Sequence, residues 1–435
     1  MGITPEIADL AAWLTGLSAT LPPVVEVKAR LLLLDTYGCA LAGMAHPEVS
    51  GYAARLAGRG AISAIGFPSG MPPVSFGQAL AVAACWDEAC EGLARAHGRP
   101  GLHSLPAALS VGMSANARLG AVLFATVAGY EIGGRLGEAW RIRPGMHVDG
   151  TWGTISAAVA ARIFDEPDAD ALTSTVEAAS CTLPANLYAP VRAGATMRNL
   201  YAGQAVSRGT EIALALAAGV TAPATATTEV VALNFTPDLP GPVAPPGEWV
   251  ILQGYFKPFA AVRHVHYGAQ AALDWRRIHG EVTQGISGIR LAVYPEAHTY
   301  CGNRAPETAI QAQFSLTYGL AHALVRGSLG PEAYTQEALG DPEIRRLEAL
   351  VEVDANGHFD GGRGACLFVE TPAGRSEVSV SSVPGDAGNP MSLEDIHAKF
   401  LAYAGPRIGS DGAVALADRI LGASLDTPVR EIFSL

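Results

Sequence analysis

The sequence is poor in charged residues, and its cysteines are not arranged in pairs. Asp, Glu, Lys and Arg make up 16% of the 435 residues, whereas 49% are apolar. A disordered chain would show the opposite balance. The six cysteines include no CxxC pair, which argues against a zinc ribbon or a cysteine-bound iron–sulfur cluster. The composition therefore predicts a folded protein with reduced thiols.

The sequence also lacks long apolar runs and an excess of positive charge. No uninterrupted apolar run reaches the roughly 18 residues of a membrane span. The first residues contain acidic side chains and no basic cluster of the kind that begins a signal peptide. A net charge of −12 argues against nucleic acid, because phosphate binding needs a basic face. We expect a cytoplasmic protein without a membrane or nucleic-acid partner, whereas an anionic small molecule stays compatible.

Apolar spacing predicts that the first 220 residues are mainly helical. Val24, Val27 and Leu31 follow the three- and four-residue steps of a helix face, and Leu119 and Val122 begin a second such stripe. Many residues between the apolar positions are small, which favours close packing of helices. The length of the chain makes two domains the natural expectation.

The pattern changes after a proline-rich segment, residues 237–247, which predicts a connector. Strand-like runs follow at 289–294, 350–353 and 366–380, and the last is interrupted by a turn at 371–374. One helix is predicted between them, over 309–325. Ser392 and Asp395 then predict the capped start of a helical tail, which we expect to pack on the first domain.

Several short motifs occur in a recognisable order from residue 34 to residue 392. They are Leu34-Asp35-Thr36-Tyr37-Gly38, Gly129-Tyr130-Glu131-Ile132 before Arg135-Leu136-Gly137, Gly145-Met146-His147, Gly150-Thr151-Trp152-Gly153, Lys257-Pro258-Phe259, Arg263-His264-Val265-His266, Gln313-Phe314-Ser315-Leu316-Thr317-Tyr318 and Asn389-Pro390-Met391-Ser392. No single motif is specific, but their order and spacing resemble the MmgE/PrpD family. Members of that family are dehydratases, decarboxylases and epimerases of small carboxylic acids.

The resemblance implies a mainly α fold with two domains. A large all-helical domain would comprise residues 1–250 and 393–435, and a smaller α+β lid domain, residues 251–392, would be inserted into it. The active site would lie in the cleft between the domains and bind a small-molecule carboxylate. The resemblance also implies a homodimer that uses no cofactor and no metal.

Reactions of this family break or invert a bond next to a carboxylate, which needs proton-transfer groups and cations. The resemblance places His147, in a glycine-flanked loop, and Tyr318 among the catalytic residues. Lys257, extended before a proline, and His266 would bind substrate. Tyr318 also lies on an apolar helix stripe, so a place in the core is an equal alternative.

The chain departs from the family at several of these positions. Cys85 and Ala89 stand where the decarboxylase branch has aspartate and threonine, and Arg99 stands where a histidine is expected. Arg198 replaces a lysine and Tyr201 a histidine. Arginine keeps the positive charge but removes proton transfer at neutral pH. Proton transfer would then fall on His147, Tyr318 and either His97 or His103, with Cys85 a weaker candidate as nucleophile.

The sequence leaves several functions open. The leading hypothesis is a lyase of the dehydratase or decarboxylase kind. An epimerase or isomerase needs no acid for a leaving group, and a biosynthetic cyclase would suit Trp86 and Trp152 if these line the pocket around a bulkier substrate. The third alternative is a pseudoenzyme that binds a carboxylate without turnover. Substitution of Lys257 would distinguish the hypotheses that assume a charged substrate from the one that assumes a bulky substrate.

Overall fold

The computed structural model describes residues 4–17, 20–236, 243–281, 283–359 and 362–434. Within these residues the fold is mainly helical, which confirms the predicted fold class. The first eleven helices are α1 (Thr4–Gly16), α2 (Pro23–Gly43), α3 (Pro47–Leu56), α4 (Pro73–Trp86), α5 (Pro100–Ala115), α6 (Leu119–Ala139), α7 (Gly153–Arg162), α8 (Ala169–Ser180), α9 (Ala189–Ala193), α10 (Leu200–Ala217) and α11 (Ala226–Asn234). Two short strands, β1 (Arg141–Ile142) and β2 (Phe235–Thr236), pair antiparallel among them.

Helices α4, α5, α6, α7 and α10 pack against one another at the centre of the helical part. Glycine allows two of these contacts: a Cβ on Gly129 of α6 would lie 2.4 Å from the carbonyl oxygen of Ser156 in α7. A Cβ on Gly209 of α10 would lie 2.7 Å from the carbonyl oxygen of Thr154, also in α7. The α6 stripe that begins at Leu119 is buried as predicted.

The first turns of α2 do not bury the stripe that the spacing predicts. Val24 and Val27 are 60% and 57% exposed. The buried face at this end instead includes Val25 and Ala29, and the second half of the helix is buried almost all round. A helix that enters the core along its length has no single apolar stripe, so spacing alone chose the wrong face.

The α+β part contains a four-stranded sheet. Its elements are α12 (Arg263–His279), β3 (Gly288–Val293), α13 (Pro295–Cys301), α14 (Ala309–Gln313), α15 (Leu316–Arg326), α16 (Gln336–Leu339), α17 (Pro342–Leu350), β4 (Val351–Asp354), β5 (Ala365–Thr371) and β6 (Gly374–Val380). The strand order is β4-β3-β5-β6, with β3 and β4 parallel and the other pairs antiparallel. Thr371 pairs with Gly374, which confirms the predicted hairpin.

The single helix predicted over 309–325 is wrong, because the chain forms α14 and α15 with a break at Phe314 and Ser315. The Ser315 hydroxyl accepts a hydrogen bond from the backbone N–H of Tyr318 at 3.1 Å and so caps α15. Serine is favoured at this position because it satisfies an N–H that a helix start leaves free.

The chain returns to the helical part through α18 (Leu393–Ile408), α19 (Ser410–Gly422) and α20 (Val429–Phe433). Ser392 and Asp395 form the predicted capping box of α18, and α18 packs on α2 as expected. Lys399 of α18 donates to Asp35 of α2 at 2.6 Å and to the carbonyl oxygen of Ala89 at 2.7 Å. The domain limits stay a prediction, and residues 237–242 of the predicted connector lie outside the described residues.

Candidate active site

A cavity of about 310 Å³ lies between the helical and the α+β parts. The helical part contributes the segment after α4, the loop before α7 and the turn before α10, while the α+β part contributes the start of α12, α13 and the segment before β5. The charged groups that the structure describes in this lining are six cations, Arg99, Arg141, Arg198, Lys257, Arg263 and Arg363, and three acids, Glu88, Asp149 and Glu296. The excess of cations favours an anionic ligand.

The deepest surface of the cavity, here called the charged floor, consists of Glu88, Arg99, Asp149, Arg198 and Lys257. Each of these residues is at most 5% exposed. Glu88 pairs with Arg99 at 3.2 Å, with Lys257 at 3.0 Å, and closely with Arg198. Asp149 pairs closely with Arg99 and lies 3.5 Å from Arg198. The floor therefore brings together three of the sequence-predicted substrate-binding residues, but each faces a carboxylate of the protein.

Local backbone preferences place the floor residues. Arg99 is the residue before α5, whose first position is a proline that favours the helix start. Glu88 follows α4 in a left-handed conformation, with a φ of 53°. Gly150, with a φ of 87°, has no room for a side chain: a Cβ there would meet the amide of Asn186 at 2.5 Å. The loop from Asp149 can thus turn tightly toward Arg99.

The pKa values of the two floor carboxyls lie below their usual range. Burial by itself would raise the pKa of Glu88, but the positive charges of Arg198, Arg99 and Lys257 outweigh it. For Asp149, burial is likewise outweighed, chiefly by Arg99. Both carboxyls are therefore ionised at neutral pH.

Cys85 lies behind the floor, within hydrogen-bonding reach of Arg99 and Arg198, both at 3.2 Å. Burial raises the pKa of its thiol despite these cations, so the geometry does not support the role of nucleophile. The side-chain atoms of Cys85, Glu88 and Asp149 that could bind a metal ion lie within 4.8 Å of one another. A divalent cation there would be repelled by the guanidinium groups of Arg99 and Arg198. These side chains therefore fit ion pairing within the protein better than metal binding.

A second surface, here called the ring wall, consists of His147, Tyr188, Tyr300 and His264. Successive ring centroids lie 5.8, 5.8 and 5.7 Å apart. The Tyr188 hydroxyl donates to the carbonyl oxygen of Tyr300 at 3.2 Å, which joins the helical part to the α+β part. The side chains of the wall can form hydrogen bonds, and none of them is a permanently charged group.

The environment of His147 defines its protonation. The backbone N–H of Asp149 donates to Nδ1 at 3.0 Å, so the proton of a neutral ring lies on Nε2. Burial lowers the pKa of His147 to about 4; Asp149 opposes this shift, and Arg198 and Arg99 add to it. The ring is neutral at pH 7 and can donate a hydrogen bond from Nε2.

His97 lies at the outer end of the cavity, where its side chain is 42% exposed. Its φ of 50° is left-handed, which is uncommon for a residue with a side chain. Burial, together with Arg141 and Arg363, lowers its pKa to about 4. His97 and His147 are the two sequence-predicted histidines that line the cavity.

The other two predicted histidines lie outside the cavity lining, and backbone groups occupy their rings. His103 Nδ1 donates to the carbonyl oxygen of Arg99 at 2.9 Å, and the N–H of Gly150 donates to Nε2 at 3.2 Å. His266 Nε2 donates to the carbonyl oxygen of Ala261 at 3.0 Å, while Arg263 approaches Nδ1 at 3.1 Å. Their placement supports positioning roles for these two histidines.

Three further predicted residues also lie outside the lining. Tyr318 is buried in α15, and its hydroxyl donates to the carbonyl oxygen of Ala333 at 2.5 Å, which supports the core alternative. The Tyr201 hydroxyl donates to Leu187, and its ring packs beside His147 at 5.7 Å. Trp86, 8% exposed, packs near His46 at the end of α4.

The cavity contains functional groups that the motifs did not single out: Glu88, Arg141, Asp149, Tyr188, Tyr255, Arg263, His264, Glu296, Tyr300 and Arg363. Arg263 and His264 lie inside the quoted Arg-His-Val-His motif, and Glu88 follows Cys85 by three positions. A carboxylate that is buried in apolar surroundings needs a cationic partner. The position of Glu88 in the apolar sequence before Cys90 could therefore have indicated that it belongs to the site.

Comparison with known families agrees with this architecture. The family model described as the MmgE/PrpD N-terminal domain matches residues 8–232, and the one described as the MmgE/PrpD C-terminal domain matches residues 259–422. The chain belongs to the MmgE/PrpD family, which generally consists of lyases and isomerases. No curated protein matches the sequence.

The helices were also compared with the length and hydropathy of membrane spans. Across the described ranges, none of them combines the length and the apolar character needed to cross a bilayer.

Proposed function

We propose that this protein is a lyase that removes a proton next to a carboxylate of a small organic acid. The observation that carries the proposal is the cavity itself, in which six cations and three acids surround neutral histidines. Its volume of about 310 Å³ is small for a ligand pocket, since such pockets span roughly 300–1,000 Å³. The size supports a small acid over the bulky substrate of a cyclase.

His97 is the general base in this proposal. Its ring is neutral at pH 7, and within the described part of the chain no hydrogen bond to it is found. A ring nitrogen is therefore available to accept a proton. A negatively charged substrate would raise the pKa of His97 toward the working pH, where a general base is most effective.

His147 and Tyr188 are the proton donors. The Nε2–H of neutral His147 can donate to the oxygen on which enediolate charge develops, as neutral imidazole does in other proton-abstracting enzymes. Burial raises the pKa of Tyr188, so its hydroxyl keeps its proton at neutral pH; to serve as the acid, the hydroxyl turns from the carbonyl oxygen of Tyr300 toward the leaving group. In a dehydration, His97 takes the proton from the α-carbon, and the C–H electron pair becomes the double bond to the β-carbon. The bond between the β-carbon and the hydroxyl oxygen breaks with its electron pair on oxygen, and the hydroxyl takes a proton from Tyr188 and leaves as water.

An epimerase is the second candidate, and His264 is the observation that favours it. This third neutral histidine lies on the ring wall, and burial followed by the charge of Arg363 lowers its pKa to about 3. One neutral ring can remove the proton from one face of the carbon, while the other ring, in its protonated form, returns a proton to the opposite face. Such a reaction needs no acid for a leaving group.

The test is proton NMR in deuterated buffer with 2-methylcitrate, citrate, cis-aconitate and iminodisuccinate. We expect loss of one acid with new vinyl signals; deuterium at the α-carbon without net loss would instead favour the epimerase. His97→Gln and His147→Gln should each lower the rate by about 100-fold or more. The exposed His279, at the end of α12, gives the matched control His279→Gln, which should keep full activity. Binding of an acid without any exchange would contradict the proposal.

A further inference from the structure

We infer that Arg141 and Arg363, at the outer end of the cavity, hold the carboxylate next to which the proton is removed. This inference rests on the proposed function and names the anion site within it. The sequence motifs pointed instead to Lys257, Arg99 and Arg198, which lie at the opposite, buried end.

The floor cations are already matched by carboxylates of the protein. Glu88 contacts Arg99, Arg198 and Lys257, and Asp149 contacts both arginines. A substrate carboxylate that bound there would have to displace a buried carboxylate and leave it unpaired. Removal of one partner from a buried pair is strongly unfavourable, so the floor is a poor place for a further anion.

The outer cations are less fully matched. The guanidinium of Arg141 donates to the carbonyl oxygen of Gly137 at 3.3 Å, and among the described residues no carboxylate lies within ion-pair distance of it. Arg363 lies 3.7 Å from one carboxylate oxygen of Glu296, and the other oxygen lies 3.9 Å from His97 Nδ1. These separations exceed hydrogen-bond lengths. Glu296 is 39% exposed, so it can yield its place to a substrate carboxylate at little cost.

His97 supplies an independent observation. Its left-handed backbone is one of a few such non-glycine conformations in the described residues, and Glu88 in the same segment is another. Strained conformations of this kind concentrate at functional sites. His97 shares the cavity lining with Arg141 and Arg363. A carboxylate bound by these arginines would present its α-carbon to His97, and their charges would stabilise the enediolate that forms.

The two arginines belong to different parts of the protein. Arg141 begins β1 in the helical part, whereas Arg363 lies between β4 and β5 in the α+β part. A carboxylate held by both would therefore bridge the two parts. This explains why the family motifs did not reveal the site: it depends on residues that come together only in the folded chain.

The test is calorimetric titration of the full chain with citrate as the probe. Arg141→Gln and Arg363→Gln should each weaken citrate binding by about tenfold or more, which corresponds to about 1.4 kcal/mol. Arg363→Lys, which keeps the charge but loses the planar fork, should give an intermediate loss. The matched control is Arg290→Gln on β3, outside the cavity, which should bind as the wild type does. Melting curves should show that all variants are folded, since the two outer arginines are only partly buried.

Two outcomes would overturn the inference: wild-type affinity in both glutamine variants, or no citrate binding by the wild type at millimolar concentration. The deuterium-exchange experiment tests the proposed function separately. Loss of an acid with new vinyl signals, together with unchanged citrate affinity in the variants, would refute the anion site and leave the lyase. Weaker citrate binding in the variants, without loss of any acid and without exchange, would support the anion site and refute the lyase.

Discussion

The charged floor and the ring wall line the same cavity by opposite physical means. The floor buries three cations and two carboxylates, so that one net positive charge remains, and nearly every charge is held by a partner. The wall consists of rings that are neutral at pH 7 and can gain or donate protons. The two surfaces thus differ in chemistry: the floor provides fixed charges, whereas the wall provides neutral rings, to which the proposed function assigns proton transfer together with the neighbouring His97.

The largest expected effect follows from removing one carboxylate of the charged floor. Glu88→Gln would leave Arg99 and Arg198 with Asp149 alone, and Lys257 without its carboxylate partner. Removal of one partner from a buried ionic cluster costs about 3–5 kcal/mol, and we expect the free energy of unfolding in urea to fall by that amount. The exposed Glu352, on β4, provides the control Glu352→Gln, which should change stability by less than about 0.5 kcal/mol. A loss below about 1 kcal/mol for Glu88→Gln would show that the floor is not a tightly coupled network.

The next prediction distinguishes the charged floor from the ring wall by the pH dependence of the free energy of unfolding. The pKa of His147 is about 4 when folded and 6.5 as its ordinary value, so the unfolded chain takes up this proton at higher pH. The free energy of unfolding should therefore fall as the pH drops from 6.5 to about 4, by on the order of 3 kcal/mol for this residue. Glu88 and Asp149, whose folded pKa values are lowered, contribute stability that is lost only below their ordinary values of 4.5 and 3.8. Urea titrations between pH 4 and pH 8 should show a flatter profile for His147→Gln, and parallel profiles would contradict the assignment.

The smallest effect compares two tyrosines. Tyr318→Phe leaves the buried carbonyl oxygen of Ala333 without its hydrogen bond, which should cost about 1–3 kcal/mol of stability and leave turnover within about twofold. Tyr188→Phe should do the reverse, with a turnover about tenfold lower and little change in stability. The NMR assay and urea unfolding measure both quantities. A large loss of turnover in Tyr318→Phe alone would restore the catalytic role that the sequence suggested for it.

Local signals explain which parts of the fold were predictable. The hairpin at Thr371 to Gly374 and the capping box at Ser392 depend on a few neighbouring residues, and both formed as predicted. The apolar spacing of 309–325 continues through the break at Ser315, so periodicity alone could not find it. A serine at that point was a usable sign of a second helix start.

The candidate site was less predictable, because its contacts join distant positions. Arg198 and Glu88 lie 110 positions apart, and no spacing rule links them. The motifs brought His147 to the cavity, but they could not show that His103 and His266 use both ring nitrogens on other groups of the protein. Which face of a ring meets substrate depends on packing, and a sequence pattern contains no such information.

The bond from Lys399 to the carbonyl oxygen of Ala89 has a consequence for biosynthesis. The lysine is translated 310 positions after the carbonyl that it contacts, and it also neutralises the buried Asp35. A ribosome-bound chain that has completed every cavity residue still lacks this contact beside Glu88. The segment that carries Glu88 therefore reaches its final arrangement only after Lys399 has emerged, later in synthesis than every residue that lines the cavity.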